Sequence, residues 1–223
     1  MRIFRLLSLL CFGALVLSAQ STGSLDSLYL KNPSYRQLTG LWKHYRPARA
    51  DVVMLGNSIT AGAEWNELLG RPGVINRGIS GDNLVGYLQR MEFVGPLTPR
   101  VCFIMGGIND LYAGYTPEQI FRNYTFVIDS LRSWKITPVV QSTLYVSPQW
   151  RLAEQKNQDV AKLNSLLEAH CIANEIDFLD LNARLADGRM LRDEYTTDGV
   201  HLTPAAYAIW AEELEPLLQK FGL

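Results

Sequence analysis

Short, almost continuous apolar runs alternate along the chain with longer stretches whose apolar positions recur every three or four residues. The first pattern fits short buried strands and the second fits helices with one buried stripe, so their alternation predicts an α/β domain with a mainly parallel sheet. The predicted strands are Asp51–Leu55, Gly73–Asn76, Val101–Met105, Pro138–Thr143 and Ile176–Asp180, each bounded by Gly, Asn, Pro or Ser. Helices are predicted from Asp82 to about Phe93, from Pro117 to Trp134 with Ile120, Tyr124, Val127, Ile128 and Leu131 on one stripe, and from about Leu152 to Asn174. A last helix takes Thr203 as its cap and Pro204 in its first turn and stops near Gly222. A further helix follows Pro33, ahead of the first strand.

Residues 1–19 break this pattern. Arg2 and Arg5 precede an apolar run from Leu6 to Leu17, and Ser18-Ala19 then supply small residues, the order of a secretory signal peptide. The run is too short to span a bilayer comfortably. The expectation is a single domain over residues 20–223, secreted or periplasmic, with no stable membrane anchor. Its composition is that of an ordinary globular protein, 48% hydrophobic and 19% charged. The formal net charge of −1 becomes more negative by two when the leader's arginines are removed. With no basic excess and no Lys/Arg run, nucleic acid is not an expected partner. Cys102, in a strand, and Cys171, in a helix, are expected to be buried free thiols, and neither has the spacing of a zinc site. No metal or other cofactor is expected.

In an open parallel sheet the loops at the carboxyl ends of the strands converge on one edge, so chemistry is sought there. Gly56-Asn57-Ser58-Ile59-Thr60 follows the first strand and places the Ser58 hydroxyl at a strand-to-helix turn. Arg77-Gly78-Ile79-Ser80-Gly81-Asp82 follows the second, with the Gly81 N–H able to face the same edge. Gly106-Gly107-Ile108-Asn109-Asp110 follows the third and offers the Asn109 amide. Asp198-Gly199-Val200-His201 precedes the last helix, at a spacing that lets the carboxylate reach the imidazole Nδ1–H and leave Nε2 free as a base. Of the other two histidines, His44 lies in a Trp-Lys-His-Tyr-Arg helix and His170 in a helical Glu-Ala-His-Cys stretch, both better suited to surface or packing roles. Singly, each loop has a plain structural explanation as a cap, a turn or a connection. Together they hold a nucleophile, a base, an orienting acid and two oxyanion donors, the parts needed for acyl transfer.

On these residues the chain resembles the SGNH hydrolases, also called the GDSL esterase/lipase family. The four blocks, Gly56-Asn57-Ser58-Ile59, Gly81, Gly107-Ile108-Asn109-Asp110 and Asp198-Gly199-Val200-His201, come in the family's order over about 146 residues. The resemblance implies Ser58 as nucleophile, His201 as base and Asp198 as its partner. It also implies an oxyanion hole of the Ser58 N–H, the Gly81 N–H and the Asn109 side chain, on a three-layer, flavodoxin-like fold with a five-stranded parallel sheet in the order 2-1-3-4-5. One position departs: the usual Gly-Asp-Ser-Leu opening reads Gly-Asn-Ser-Ile, so Asn57 can still cap but carries no charge. The implied activity is that of a serine esterase acting on a small-molecule or glycan ester. Removal of O-acetyl groups from carbohydrate is the leading expectation, and the sugar preference comes from the resemblance alone. A lysophospholipase or thioesterase on longer acyl chains, or a carbohydrate-binding domain without catalysis, are the alternatives. Trp65, Tyr112, Tyr145 and Trp150 lie on or near the same loops and are candidates to line a sugar or acyl pocket, with core packing or loop anchoring as the competing expectation for each.

Overall fold

The structure, a computed structural model, describes residues 27–46 and 49–223. The leader read in residues 1–19 lies outside the described residues. In chain order the elements are α1 (Leu28–Lys31), α2 (Pro33–Trp42), β1 (Val52–Gly56), α3 (Ser58–Ala61), α4 (Trp65–Leu68), β2 (Val74–Gly78), α5 (Leu84–Gln89), β3 (Val101–Met105), α6 (Ile108–Ala113), α7 (Pro117–Ser133), β4 (Thr137–Gln141), α8 (Ala153–Ala173), β5 (Asp177–Leu179), α9 (Asn182–Leu185), β6 (Ala186–Asp187), β7 (Met190–Leu191) and α10 (Pro204–Lys220). Strands β1 to β5 form one parallel sheet in the order 2-1-3-4-5, as expected, and β6 pairs with β7 in a small antiparallel hairpin that the apolar pattern is too short to reveal.

The two central strands β1 and β3 are buried at every position, which is why they read as unbroken apolar runs. Each large apolar side chain buried here contributes roughly 1.5–3 kcal/mol. Helices α5, α7 and α8 pack as one layer, and α3, α4 and α10 meet in the other, where Trp65 stacks edge-on against Trp210 at 4.7 Å. The stripe of Ile120, Tyr124, Val127, Ile128 and Leu131 on α7 is buried, and Thr116 and Gln119 close a capping box at its start. Cys102 and Cys171 are free and buried.

Two helical expectations change. The stretch from Asp82 to Phe93 breaks after Gln89 into a short 3₁₀ turn, Met91–Phe93, because Arg90 leaves helical geometry and turns its side chain into the interior. Helix α2 ends at Trp42, its last buried residue, leaving His44 exposed in a turn.

The register sets up the site. Gly56 of β1 pairs with Gly78 of β2 on one side and Met105 of β3 on the other, so the three carboxyl ends finish level where the strand order reverses. Gly78 permits this close approach, since a Cβ there would lie 2.3 Å from the Ala61 nitrogen of α3.

Candidate active site

Ser58 opens α3, directly after the turn that leaves β1. Asn57 caps that helix by accepting the Ile59 N–H on its Oδ1 at 2.9 Å, so the local role expected of this position survives the loss of charge. The other half of the Asn57 amide, Nδ2, is buried and finds no partner among the described residues. The far side of α3 is held from two directions. Asn76 of β2 and the Trp65 indole both donate to the Thr60 carbonyl, and Tyr207 of α10 donates to the Ile59 carbonyl at 2.7 Å.

His201 approaches from the loop before α10. Asp198 accepts the N–H groups of Val200 and His201 on Oδ1, at 2.9 and 2.8 Å, which folds Asp198–His201 into a tight turn. Its Oδ2 lies 2.6 Å from His201 Nδ1. An ionised carboxylate can only accept, so Nδ1 carries the proton and Nε2 is left to accept from the Ser58 hydroxyl at 2.9 Å. Gly199, at φ +101°, makes the turn and is anchored through its carbonyl by the Ser147 N–H. The Asp198 and His201 side chains are 43% and 44% exposed, so water can reach the base. Desolvation pushes the Asp198 carboxyl upward, but the hydrogen bonds from His201 and Val200 outweigh it and hold the group at about 2.

Asn109 lies in the first turn of α6. One hydrogen of its amide goes to the Asp82 carbonyl at 2.8 Å, fixing the side chain and leaving a second hydrogen for the site. The next residue, Asp110, accepts the Leu84 N–H at 3.0 Å, so the Asn109-Asp110 pair clasps the Asp82–Leu84 segment from both ends. Gly81, immediately before it, has φ +72°. Among the described residues nothing accepts the N–H of Ser58 or of Gly81. The three donors expected for an oxyanion thus stand at the carboxyl ends of β1, β2 and β3.

Of the four aromatic candidates, two stay near this edge. Trp150 packs on Gly199 of the His201 turn, and Tyr112 lies one turn beyond Asn109, its hydroxyl on the Arg151 carbonyl at 2.6 Å and the Arg151 guanidinium 5.1 Å above its ring. The other two do not. Trp65 is fully buried, with its indole N–H on Thr60 and its ring against Trp210 and Tyr207, and is therefore a core residue that cannot touch a substrate. Tyr145 lines a separate cavity of about 320 Å³ with Asn164, Glu168, Phe178, Asp180 and Arg189, into which Ser58, Asp198 and His201 do not project. Sequence reasoning also passed over Asp82 and Arg90, a wholly buried ion pair beneath Gly81.

Residues 54–209 match the GDSL-like Lipase/Acylhydrolase family. Among solved structures, a GDSL-like lipase from Bacteroides thetaiotaomicron VPI-5482 superposes with a TM-score of 0.74 at 28% identity, over 83% of this chain and 97% of that one. An acetyl xylan esterase shares the fold with a TM-score of 0.64 at 21% identity, over 75% of this chain and 98% of that one. An N-acylneuraminate cytidylyltransferase of Streptococcus agalactiae serotype V is 30% identical over 122 residues, which is 52% of this chain and 29% of that protein, so the chain spans less than a third of this relative's length.

Proposed function

The chain belongs to the GDSL-like lipase/acylhydrolase family, and from that premise we propose that it is a serine ester hydrolase working through an acyl-enzyme, with O-acetyl groups on carbohydrate as its substrates. The observation that carries the reaction type is the unbroken hydrogen-bonded series from Ser58 Oγ through the His201 ring to Asp198. Ser58 attacks the ester carbonyl as its proton passes to His201 Nε2, and the oxygen that gains charge accepts from the Ser58 N–H, the Gly81 N–H and the free hydrogen of the Asn109 amide. His201 then gives the proton to the departing alcohol oxygen. Water, deprotonated by the same imidazole, attacks the acyl-serine and releases the carboxylic acid and free Ser58.

The sugar alcohol rests on lesser support. Trp150 offers a partly exposed ring beside the His201 turn, suited to packing on a pyranose face, whereas the Tyr112 ring is covered by Arg151 and Lys156. The scaffold is shared with an acetyl xylan esterase, and the curated relative is named for a sialic-acid-type sugar. The leader read in residues 1–19 would place the enzyme outside the cytoplasm, where esterified glycans are met. One observation favours a second reading, an esterase of longer acyl chains: Leu152, beside Trp150 and Arg151, is 60% exposed and would give such a chain an apolar landing.

The deciding experiment measures kcat/KM for acetyl, butyryl and octanoyl esters of one alcohol, together with acetate release from acetylated xylan, pectin fragments and sialic acid. Preference for acetyl and release from at least one sugar support the proposal. A steady rise with chain length and no release from any sugar overturn it in favour of the second reading.

A further inference from the structure

Beneath the Gly81 loop two opposite charges lie wholly inside the protein. The Arg90 and Asp82 side chains are both 0% exposed, and Arg90 Nε meets Asp82 Oδ2 at 2.7 Å. The remaining two nitrogens of the guanidinium donate to main chain, one to the Arg77 carbonyl at 2.7 Å and the other to the Gly56 carbonyl at 2.9 Å. The guanidinium also lies 4.8 Å from the Tyr87 ring centre and 5.6 Å from that of Trp42. A buried pair of this kind is a poor way to stabilise a fold, because removing both ions from water offsets most of their attraction. Its value has to be sought in what it holds in place.

Each atom it holds leads to a proposed oxyanion donor. Gly56 is two residues before Ser58. Arg77 is the last residue but one of β2, the strand that leads into the Gly81 loop. Asp82 follows Gly81 directly, and its carbonyl takes one hydrogen of the Asn109 amide at 2.8 Å. A planar guanidinium fixes three donor directions at once, which a flexible ammonium cannot do. We propose that the Arg90–Asp82 pair is the positioning device of the oxyanion hole: it sets the Gly81 N–H and the Asn109 amide against Ser58 and acts on the transition state without touching substrate. This rests on the reading of Ser58, Gly81 and Asn109 as acyl-transfer machinery.

The test uses the full chain and an aryl acetate at a temperature well below every variant's melting transition. Arg90→Lys keeps the charge and loses the fork. Asp82→Asn keeps the shape and weakens the tie, and it stands in if Arg90→Lys does not fold. Either folded variant is expected to lower kcat by about tenfold or more with KM within about twofold, since donors displaced by a fraction of an ångström lose the developing charge and not the ground state. In an Asn109→Ala background the same substitution should cost much less, because part of what it positions is already gone. Unchanged kcat in both variants, or a loss that simply adds to that of Asn109→Ala, makes the pair structural only and overturns the proposal while leaving the Ser58 reading intact. Wild-type turnover that survives Ser58→Ala instead removes the reading of the site itself, and the proposal with it.

Discussion

The Tyr207 hydroxyl donates to the Ile59 carbonyl at 2.7 Å, joining the helix that follows His201 to the helix that begins with Ser58. These helices belong to segments more than a hundred residues apart, and the Ser58–His201 distance of 2.9 Å depends on their mutual setting. Gly62 makes the contact possible, because a Cβ there would fall 2.2 Å from the same hydroxyl.

Tyr207→Phe removes this tie and keeps the ring. The expected result is a loss of about two- to tenfold in kcat with KM little changed, and about 1 kcal/mol of stability, the usual net worth of one hydrogen bond. Steady-state kinetics beside a denaturant titration check both. Unchanged kcat would show that the setting of the two helices is fixed by packing alone.

Asp110 gives a pH-dependent stability. Burial, reinforced by the nearby Asp82 charge, raises its carboxyl to about 8 against the pull of the Leu84 N–H. The unfolded carboxyl titrates near 3.9, so between about pH 4 and 8 the native state binds the extra proton and stability falls as pH rises. Asp110→Asn keeps an acceptor for Leu84 and cannot ionise. Its Tm advantage over the wild type should widen as pH rises from about 4 to about 8 and level off above that. Parallel Tm curves for the two proteins across that range would contradict the burial effect.

Trp65 and Trp150 should now behave differently. Trp65→Ala removes a ring with no solvent exposure and its hydrogen bond to Thr60, with an expected cost of about 3–5 kcal/mol in stability. Trp150→Ala should leave the fold largely intact and weaken acetylated sugars more than an aryl acetate. Thermal unfolding and the ratio of the two kcat/KM values separate the cases. Equal losses on both substrates for Trp150→Ala would take that ring out of the proposed sugar site.

These two residues also mark the limit of what the chain discloses before it is folded. The sheet was readable because β1 and β3 are buried on both faces and their apolar runs are continuous. The Asp198–His201 turn was readable because its contacts are local, three residues apart. A tryptophan near a candidate catalytic loop reads the same whether it faces solvent or, like Trp65, lies edge-on against Trp210, a partner from the far end of the chain. Arg90 and Asp82 carried no signal either, since a buried ion pair and two surface charges share one spelling.

The acid side of the activity profile follows from the turn. Asp198, held at about 2, is ionised from neutral pH down to well below 4, so it adds no protonation step of its own to the acid side of the profile, which should fit a single protonation. In Asp198→Ala the single-proton fall should persist on a lower plateau. A two-proton fall in the wild type would implicate a second group.

The most direct measurement is the mass of the intact protein, acid-quenched during turnover of an aryl acetate and then digested to locate the adduct. One acetyl group on the peptide that contains Ser58, absent from Ser58→Ala and His201→Ala, is the result expected of an acyl-enzyme built on the Ser58–His201–Asp198 series. Turnover by folded Ser58→Ala protein at the wild-type rate, or an acetyl adduct confined to another residue, would contradict it.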